Sequence, residues 1–232
     1  MTEHTSKQFD SELESVRSRV LQMGGLVEQQ IVRATEALVS GDMALLERVI
    51  ADDHRVNALE VEIDEACSHI LARRQPAAGD LRLIIAIIKT ITDLERIGDE
   101  AEKIARMGKL IHGAGRQHMP RMDVSHVADR ARAMLRQSLD AFARLDISEA
   151  TRVVKQDRAV DDEFRAIMRQ LITFMMEDPR TITRSLEILF VAKAIERIGD
   201  HAKNMAEYVV YMVKGRDVRH TAIEDVEKEI LE

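Results

Sequence analysis

The sequence motif with the clearest chemical potential is a five-residue segment, E-R-I-G-D, that occurs twice. It runs from Glu95 to Asp99 and again from Glu196 to Asp200. Residues four apart in an α-helix lie on the same face, one turn from each other. Each copy would therefore present two carboxylates side by side, and carboxylate oxygens are the ligands that hard cations prefer. The motif predicts two separate hard-metal sites, one in each half of the chain.

Further carboxylates, most of them with acid-x-x-x-acid spacing, lie on the same or other predicted helices and could complete these sites. The additional candidate ligands are Glu60, Asp64, Glu102, Asp157 and Asp161. Mg²⁺, Mn²⁺ and iron are the expected ions. Zinc is less expected, because the eight histidines include no H-x-x-x-H pair on a predicted helix.

The acidic faces also have a structural interpretation. Like charges at this spacing weaken an isolated helix by about 0.2–0.5 kcal/mol, so neighbouring cations would have to compensate. In the second copy Lys203 stands where the first has Glu102, which makes the second face less acidic. Both interpretations stay open, since a duplication carries a structural pair into both copies as readily as a metal site. The compensating cations would be Arg96, Lys103, Arg197 and Lys203.

Three residues in or beside the repeated motif carry further expectations. Gly98 and Gly199 lie in the middle of predicted helices, where glycine costs about 1 kcal/mol relative to alanine. We therefore expect another helix backbone to approach closely at both. His201 follows the second motif and could lend a ligand nitrogen, but an exposed histidine is the simpler expectation.

Motifs of covalent and phosphoryl-transfer catalysis are missing from the sequence. It contains no G-x-S-x-G, no P-loop and no G-x-G-x-x-G. Cys67 is the only cysteine and lies in a helical stretch, so we expect it to be a small buried core residue. These absences favour a protein that acts by binding over an enzyme.

The composition argues against several classes of function. The net charge is −7 and no basic block could follow a phosphate backbone, so a nucleic-acid partner is not expected. The most apolar run, residues 81–91, is interrupted by Arg82 and Lys89 and is shorter than the roughly 20 residues of a membrane span. The first ten residues lack the apolar core of a signal peptide. We therefore expect a cytoplasmic protein.

Apolar periodicity and capping residues predict six long helices. Gly41 ends the first helix, Asp42 begins the second, and a turn precedes Asp80 at the start of the third. Asp146 opens the fifth helix, and Pro179 is placed at the first helical position of the sixth. The predicted helices span about residues 9–39, 42–74, 80–111, 123–145, 146–177 and 178–213.

The repeated motif belongs to a longer internal repeat. Its second copy follows the first by 101 residues, and Asp53–Asn57 aligns with Asp157–Asp161 at an offset of 104. The sequence thus predicts an all-α fold of two tandem three-helix bundles related by an internal pseudo-twofold duplication. We expect the bundles to span residues 1–115 and 116–215, with a charged tail at 216–232.

Over essentially its whole length the sequence resembles the PhoU family, the phosphate-transport and phosphate-signalling regulators of bacteria. The segments that carry the resemblance include FDSELESVRSRVLQMGGLVEQQ, RRQPAAGDLRLIIAIIKTITDLERIGD, AIERIGDHAKN and EYVVYMVKGRDVRH. The resemblance implies two three-helix bundles with an E/D-x-x-x-D motif in each, which some relatives use to bind iron, zinc, manganese or magnesium. That motif corresponds here to Glu95 and Asp99 and to Glu196 and Asp200.

The resemblance also implies a function and partners. PhoU-like proteins repress the phosphate-starvation regulon when phosphate is plentiful. They are thought to connect the phosphate ABC transporter, through its ATPase PstB, to the sensor histidine kinase PhoR. We accordingly expect a negative regulator that acts as an adaptor, that forms a homodimer, and that reaches the membrane only through the transporter.

Two other classes of function remain possible from the residues themselves. Helical bundles with carboxylate clusters can hold di-iron centres, but the usual di-iron pattern needs a Glu-x-x-His pair, and none faces the E-R-I-G-D motif. A scaffolding bundle whose acidic face only contacts a partner would need no metal. Metal analysis with activity screening separates the first of these from the second.

Overall fold

The structure is a computed structural model that describes residues 7–113 and 123–218. Long helical segments form nearly all of it. Within these ranges there is no β-strand. A 3₁₀ turn, Pro179–Thr181, precedes the last helix. The α-helices are α1 (Lys7–Ser40), α2 (Met43–Asp52), α3 (His54–Arg74), α4 (Ala78–Gly113), α5 (Ser125–Arg144), α6 (Ile147–Glu177) and α7 (Ile182–Lys214).

Several helix ends lie where the sequence predicts them. Gly41 follows α1 with a left-handed φ of 76°, a conformation that suits glycine. A carboxylate oxygen of Asp42 accepts a hydrogen bond from the Leu45 N–H, and Asp146 does the same for Glu149. These two side chains cap α2 and α6, because they satisfy N–H groups that have no partner in the first helical turn.

The predicted second helix is wrong in one respect. It forms two helices, α2 and α3, which are separated by the single residue Asp53. Asp53 keeps right-handed helical angles, with φ −59° and ψ −36°, but its side chain does not cap α3. Its carboxylate instead accepts hydrogen bonds from the amides of Gln30 and Asn57.

Other helix starts differ from the prediction by two to four residues, and α4 and α7 are examples. α4 begins at Ala78, so Asp80 lies in its first turn. A negative charge there still interacts favourably with the helix dipole. Pro179 lies in the 3₁₀ turn, and α7 begins only at Ile182. A φ of 45° at Gln75 makes the turn before α4, although glutamine is an uncommon residue in this left-handed region.

Each half of the chain forms a three-helix bundle, as predicted. α1, α4 and the pair α2 and α3 pack together in the first half, and α5, α6 and α7 pack together in the second. The two bundles share one continuous core of Ile, Val, Leu, Ala and Met side chains. Cys67 is fully buried in it, as predicted. No helix in the described ranges has an apolar stretch long enough to cross a membrane.

The two bundles meet mainly along α4 and α7, which are the equivalent helices of the two repeats. Asp93 of α4 faces His201 of α7, and Glu100 faces Arg197. Residue numbers rise along one helix as they fall along the other, so α4 and α7 run antiparallel. This arrangement is the one expected when a twofold axis relates the repeats.

Some predictions fall on residues outside the described ranges. They concern the linker residues Gly115 and Pro120, the domain boundary at 115–116, and the tail from residue 219 onward. Residues 216–218 of the tail are described and are not helical, and Val218 is buried against the core.

Candidate functional site

The first E-R-I-G-D motif lies on α4 against the junction of α2 and α3. Asp53, at that junction, is buried, while Glu95, Asp99 and Glu102 on α4 are partly buried. The structure therefore brings three carboxylates predicted from the sequence together with one that was not among the predicted ligands. We call Asp53, Glu95, Asp99 and Glu102 the first acidic cluster.

Three carboxylates of the first acidic cluster, Asp53, Glu95 and Asp99, hold their protons more tightly than free carboxylates do. Burial raises the pKa of Asp53, and the charges of Glu102 and Asp99 add to this effect against the hydrogen bond from Gln30. Burial likewise raises the pKa of Glu95 and of Asp99. Burial is the largest cause in all three groups, and repulsion between the carboxylates adds to it.

The arginines near the first acidic cluster are exposed to solvent, so they neutralise its negative charge only weakly. The Arg96 guanidinium lies 3.6 Å from Glu95 and 3.7 Å from Asp99, and its side chain is 56% exposed. Arg106 pairs with Glu102 and is 57% exposed. Exposed pairs of this kind contribute about 0–1 kcal/mol, because water and salt screen them.

An oxygen-lined recess adjoins the cluster at Gly98. A Cβ placed on Gly98 would lie 3.3 Å from Asp53 Oδ1 and 3.3 Å from Gln30 Oε1. Gln30 is 6% exposed, its Nε2 donates to Asp53, and its Oε1 accepts no hydrogen bond from the described residues. A buried carbonyl oxygen without a donor is costly, and a hard cation is one partner that would satisfy it.

The second E-R-I-G-D motif lies on α7 against α6. Asp157 and Glu196 are buried, and Asp161 and Asp200 are partly buried. We call these four residues the second acidic cluster. Unlike the first, this cluster is paired with lysine ammonium groups: Lys203 donates to Asp157 at 2.7 Å, and Lys193 donates to both carboxylate oxygens of Glu196 at 2.5 and 2.6 Å.

Within the second acidic cluster the charge is unevenly compensated. Burial raises the pKa of Asp200 to about 6, and the charges of Glu196, Asp157 and Asp161 contribute to the rise. Burial is the largest single effect on Lys203 and opposes its charge, but the hydrogen bond to Asp157 and the charges of Asp157, Glu207 and Asp200 together outweigh burial and raise the pKa of the lysine. Lys203 thus remains a cation inside the cluster, while Asp200 has no ion-pair partner of its own among the described residues.

The remaining predicted ligands lie at the edge of the clusters or outside them. Glu60 accepts a hydrogen bond from Thr92 at 3.4 Å, and its charge contributes to the raised pKa of Glu95. Asp64 is exposed and acts instead on the nearby thiol of Cys67, whose pKa burial raises to about 12. Across residues 7–113 and 123–218, no three His, Cys, Asp or Glu side chains form a ready-made metal site. A cation would have to draw the carboxylates of a cluster inward.

Asp53 of the first acidic cluster and Gln30 beside it were not among the candidates predicted from the sequence. Asp53 aligns with the candidate Asp157 in the internal repeat, so the repeat itself was the signal that could have identified it. Gln30 lies on α1, far from the motif in sequence, and no local pattern marks it.

The expectations for the glycines and for His201 are wrong. Side chains, not a helix backbone, pack against both glycines, and at Gly199 they are the apolar groups of Val160 and Met134. His201 is not exposed: its side chain is 16% exposed and its Nδ1 lies 2.7 Å from Asp93 Oδ1. Packing between the two bundles covers this histidine.

Comparison with known families places both halves of the chain in one group. The sequence model of the PhoU domain matches twice, at residues 20–107 and at residues 124–209. The two matches fall in the two bundles, in agreement with the internal repeat. Each match includes one copy of the E-R-I-G-D motif.

Curated relatives align over nearly the full length of the chain. A protein of Pseudomonas aeruginosa called "Phosphate-specific transport system accessory protein PhoU homolog" is 48% identical over 230 residues, which cover 99% of this chain and 95% of the relative. The Escherichia coli K12 protein called "Phosphate-specific transport system accessory protein PhoU" is 48% identical over 229 residues, covering 98% and 94%.

Solved structures show the same fold. The crystal structure of PhoU from Pseudomonas aeruginosa superposes with a TM-score of 0.86 at 48% identity, over 90% of this chain and 100% of that one. A phosphate transport system regulatory protein PhoU from Streptococcus pneumoniae gives a TM-score of 0.84 at 29% identity, over 90% and 99%. With two matching domains, full-length relatives and a shared fold, this chain belongs to the PhoU family.

Proposed function

We propose that this chain is a negative regulator of phosphate uptake and of the phosphate-starvation response. The observation that carries the proposal is the 48% identity, over 99% of the chain, to a protein named for the phosphate-specific transport system. The match extends across both bundles and is not confined to one site. It therefore supports a shared role more strongly than a common fold would alone.

In this proposal the chain acts as an adaptor and not as an enzyme. It binds the transporter ATPase PstB and the sensor histidine kinase PhoR at the cytoplasmic face of the membrane, as a homodimer, and holds the kinase inactive while phosphate is plentiful. A chain with a net charge of −7 is ill suited to contact DNA directly, so its effect on transcription is expected to pass through protein partners.

A binding experiment tests the adaptor role. The tagged chain, expressed at its native level, should retain both PstB and PhoR from solubilised membranes of phosphate-replete cells. In a strain that lacks the transporter, the chain should no longer sediment with the membrane fraction. Recovery of neither partner, or membrane association that persists without the transporter, would contradict the adaptor role.

A second proposal concerns the first acidic cluster, which we infer to bind a hard divalent cation such as Mn²⁺ or Mg²⁺. The observation that favours it is the recess at Gly98, where Gln30 Oε1 and Asp53 Oδ1 face the same point with no hydrogen-bond donor for the glutamine oxygen among the described residues. Asp53, Asp99 and Glu95 would supply anionic ligands. A bound cation would supply positive charge that the exposed arginines do not.

Thermal unfolding with and without metal tests this site. In chelator, Asp99→Ala should melt at or slightly above wild type, because a like charge has been removed from the face. In Mn²⁺, wild type should gain stability by mass action and Asp99→Ala should not. Asp129→Ala, which removes an exposed carboxylate of α5, should respond to Mn²⁺ as wild type does. No metal-dependent shift in wild type would contradict the proposal.

A further inference from the structure

The two halves of the chain differ where each would hold a cation. When the repeats are aligned, three positions around the acidic clusters change from oxygen-bearing side chains to a thioether or an ammonium group. The three pairs are Gln30 and Met134, Thr92 and Lys193, and Glu102 and Lys203.

The most consequential of these differences is at Lys203. Its ammonium lies on α7 and donates to Asp157 Oδ2 at 2.7 Å. Asp157 is 7% exposed and is the counterpart of Asp53 in the first half. At the position of Lys203 the first half has Glu102, a carboxylate paired with an exposed arginine. One half therefore has a negative charge where the other has a positive one.

A second ammonium occupies the other end of the second acidic cluster. Lys193 binds both oxygens of Glu196, and its ammonium also lies 5.3 Å from the centre of the Phe164 ring. The first-half counterpart, Thr92, carries no charge and donates to Glu60. The lysine therefore occupies the two oxygens that Glu196 would offer to a metal ion.

The surroundings of the motif glycine also become less suited to a cation in the second half. At Gly98 the nearest atoms are oxygens of Asp53 and Gln30, each 3.3 Å from a Cβ position. At Gly199 they are carbons of Val160 and, at 3.8 Å, the sulfur of Met134. Carbon and thioether sulfur are poor ligands for hard cations, so the second half lacks the oxygen-lined recess of the first.

We propose that the Lys203 ammonium is a built-in counter-ion that takes the place of a metal ion in the second acidic cluster, so that the chain carries one hard-cation site instead of two. The count of one cation per chain rests on the proposed cation site of the first acidic cluster. The role of Lys203 does not depend on that site. The two halves, although related by duplication, have diverged into a metal-dependent half and a metal-independent half.

Counting bound Mn²⁺ in variants of the full chain tests the inference. Free Mn²⁺ is measured by electron paramagnetic resonance after titration into chelator-treated protein. Wild type should bind one ion per chain and Lys203→Glu two. The reciprocal change, Glu102→Lys, places an ammonium in the first cluster and should bind none. Lys109→Glu, the same charge reversal on α4 at the exposed pair with Glu47, should bind one like wild type.

The outcomes separate this inference from the cation proposal on which it builds. No ion in wild type and one in Lys203→Glu would refute the cation site of the first cluster and leave the role of Lys203 standing. Two ions in wild type would do the reverse. An unchanged count in Lys203→Glu would overturn the role of Lys203.

A folding control keeps the experiment decisive. If Lys203→Glu does not fold without metal, Lys203→Gln frees Asp157 without adding a negative charge. It should then show a second, weaker Mn²⁺ binding event that wild type lacks. Absence of this event in a folded Lys203→Gln protein would contradict the inference.

Discussion

Asp93 on α4 and His201 on α7 form a polar contact between the two bundles, with 2.7 Å between Asp93 Oδ1 and His201 Nδ1. A carboxylate only accepts hydrogen bonds, so the proton is on Nδ1. Asn204 donates to the same oxygen at 3.2 Å. Both partners of the contact are largely covered, and the equivalent helices of the two repeats are joined by a specific interaction as well as by apolar packing.

Removing this carboxylate should destabilise the fold. Asp93→Ala leaves the donors of His201 and Asn204 without an acceptor in a covered interface, so we expect a loss of about 1–3 kcal/mol in the free energy of unfolding. Urea denaturation at neutral pH measures it. Asp129→Ala, at a carboxylate whose side chain is 70% exposed, should change stability by less than about 0.5 kcal/mol.

The two residues should also be energetically coupled. In a double-mutant cycle that combines Asp93→Ala with His201→Ala, the coupling energy between the two positions should be at least about 0.5 kcal/mol. Asp93→Ala already leaves the His201 donor unpaired, so removing that donor as well should cost less than it does in wild type. Additive effects would mean that the contact does not form in solution.

Two adjacent glycines of α1, Gly24 and Gly25, should differ in how their replacement by alanine changes the stability of the fold. A Cβ on Gly24 would lie 2.5 Å from Cδ2 of Leu139 on α5, whereas a Cβ on Gly25 has nothing within 4 Å. Gly25→Ala should raise the free energy of unfolding by about 0.5–1 kcal/mol, since alanine is the better helix former. Gly24→Ala forces Leu139 to move and should be less stable than Gly25→Ala by about 1–3 kcal/mol. Equal melting curves would refute the packing of α1 on α5.

Asp200 should make the protein less stable as the pH rises through the weakly acidic range. Its pKa is raised to about 6 in the folded chain, so the folded state holds a proton that the unfolded state releases near pH 4. The folded state binds more protons between these values, and its stability therefore falls as pH rises from about 4 to about 6 and stays low above that.

Asp200→Asn tests this pH dependence in chelator. The amide cannot ionise, so the variant should be more stable than wild type above pH 6 by about 1–2 kcal/mol, with little difference near pH 4. Asp162→Asn, at a carboxylate with a 61% exposed side chain, should be close to wild type at both pH values. A less stable Asp200→Asn protein at neutral pH would show that the ionised carboxylate has a favourable partner.

Direct binding to duplex DNA should be negligible. The net charge of −7 opposes approach to a polyanion, so no complex should form at micromolar protein and about 150 mM salt. A gel-shift titration with promoter DNA measures this. A sequence-selective, salt-sensitive shift would contradict regulation through protein partners.

The sequence predicted the helices well because their signals are local. Gly41, Asp42 and Asp146 act within one turn of their own helix, so their residue types were enough. The break at Asp53 could not be predicted in this way, since its carboxylate is drawn to Gln30, 23 residues earlier on α1. Its φ and ψ remain helical, and no proline or glycine marks the position.

The candidate site was predictable only in its repeated part. The spacing of the E-R-I-G-D motif gave the carboxylates of α4 and α7, and the repeat could have given Asp53 through Asp157. The buried amide of Gln30 and the contact between Asp93 and His201 join distant segments whose proximity depends on how the helices pack. His201 was expected to be exposed because the helix that buries it, α4, belongs to the other bundle.

Regulation of the phosphate response can be measured with a reporter of phosphate-starvation genes in a strain whose own copy of this chain is deleted. In high phosphate the deletion strain should express the reporter, and the chain supplied at its native level should restore repression. Reporter output that is unchanged by the deletion, or that stays high when the chain is supplied, would contradict the account.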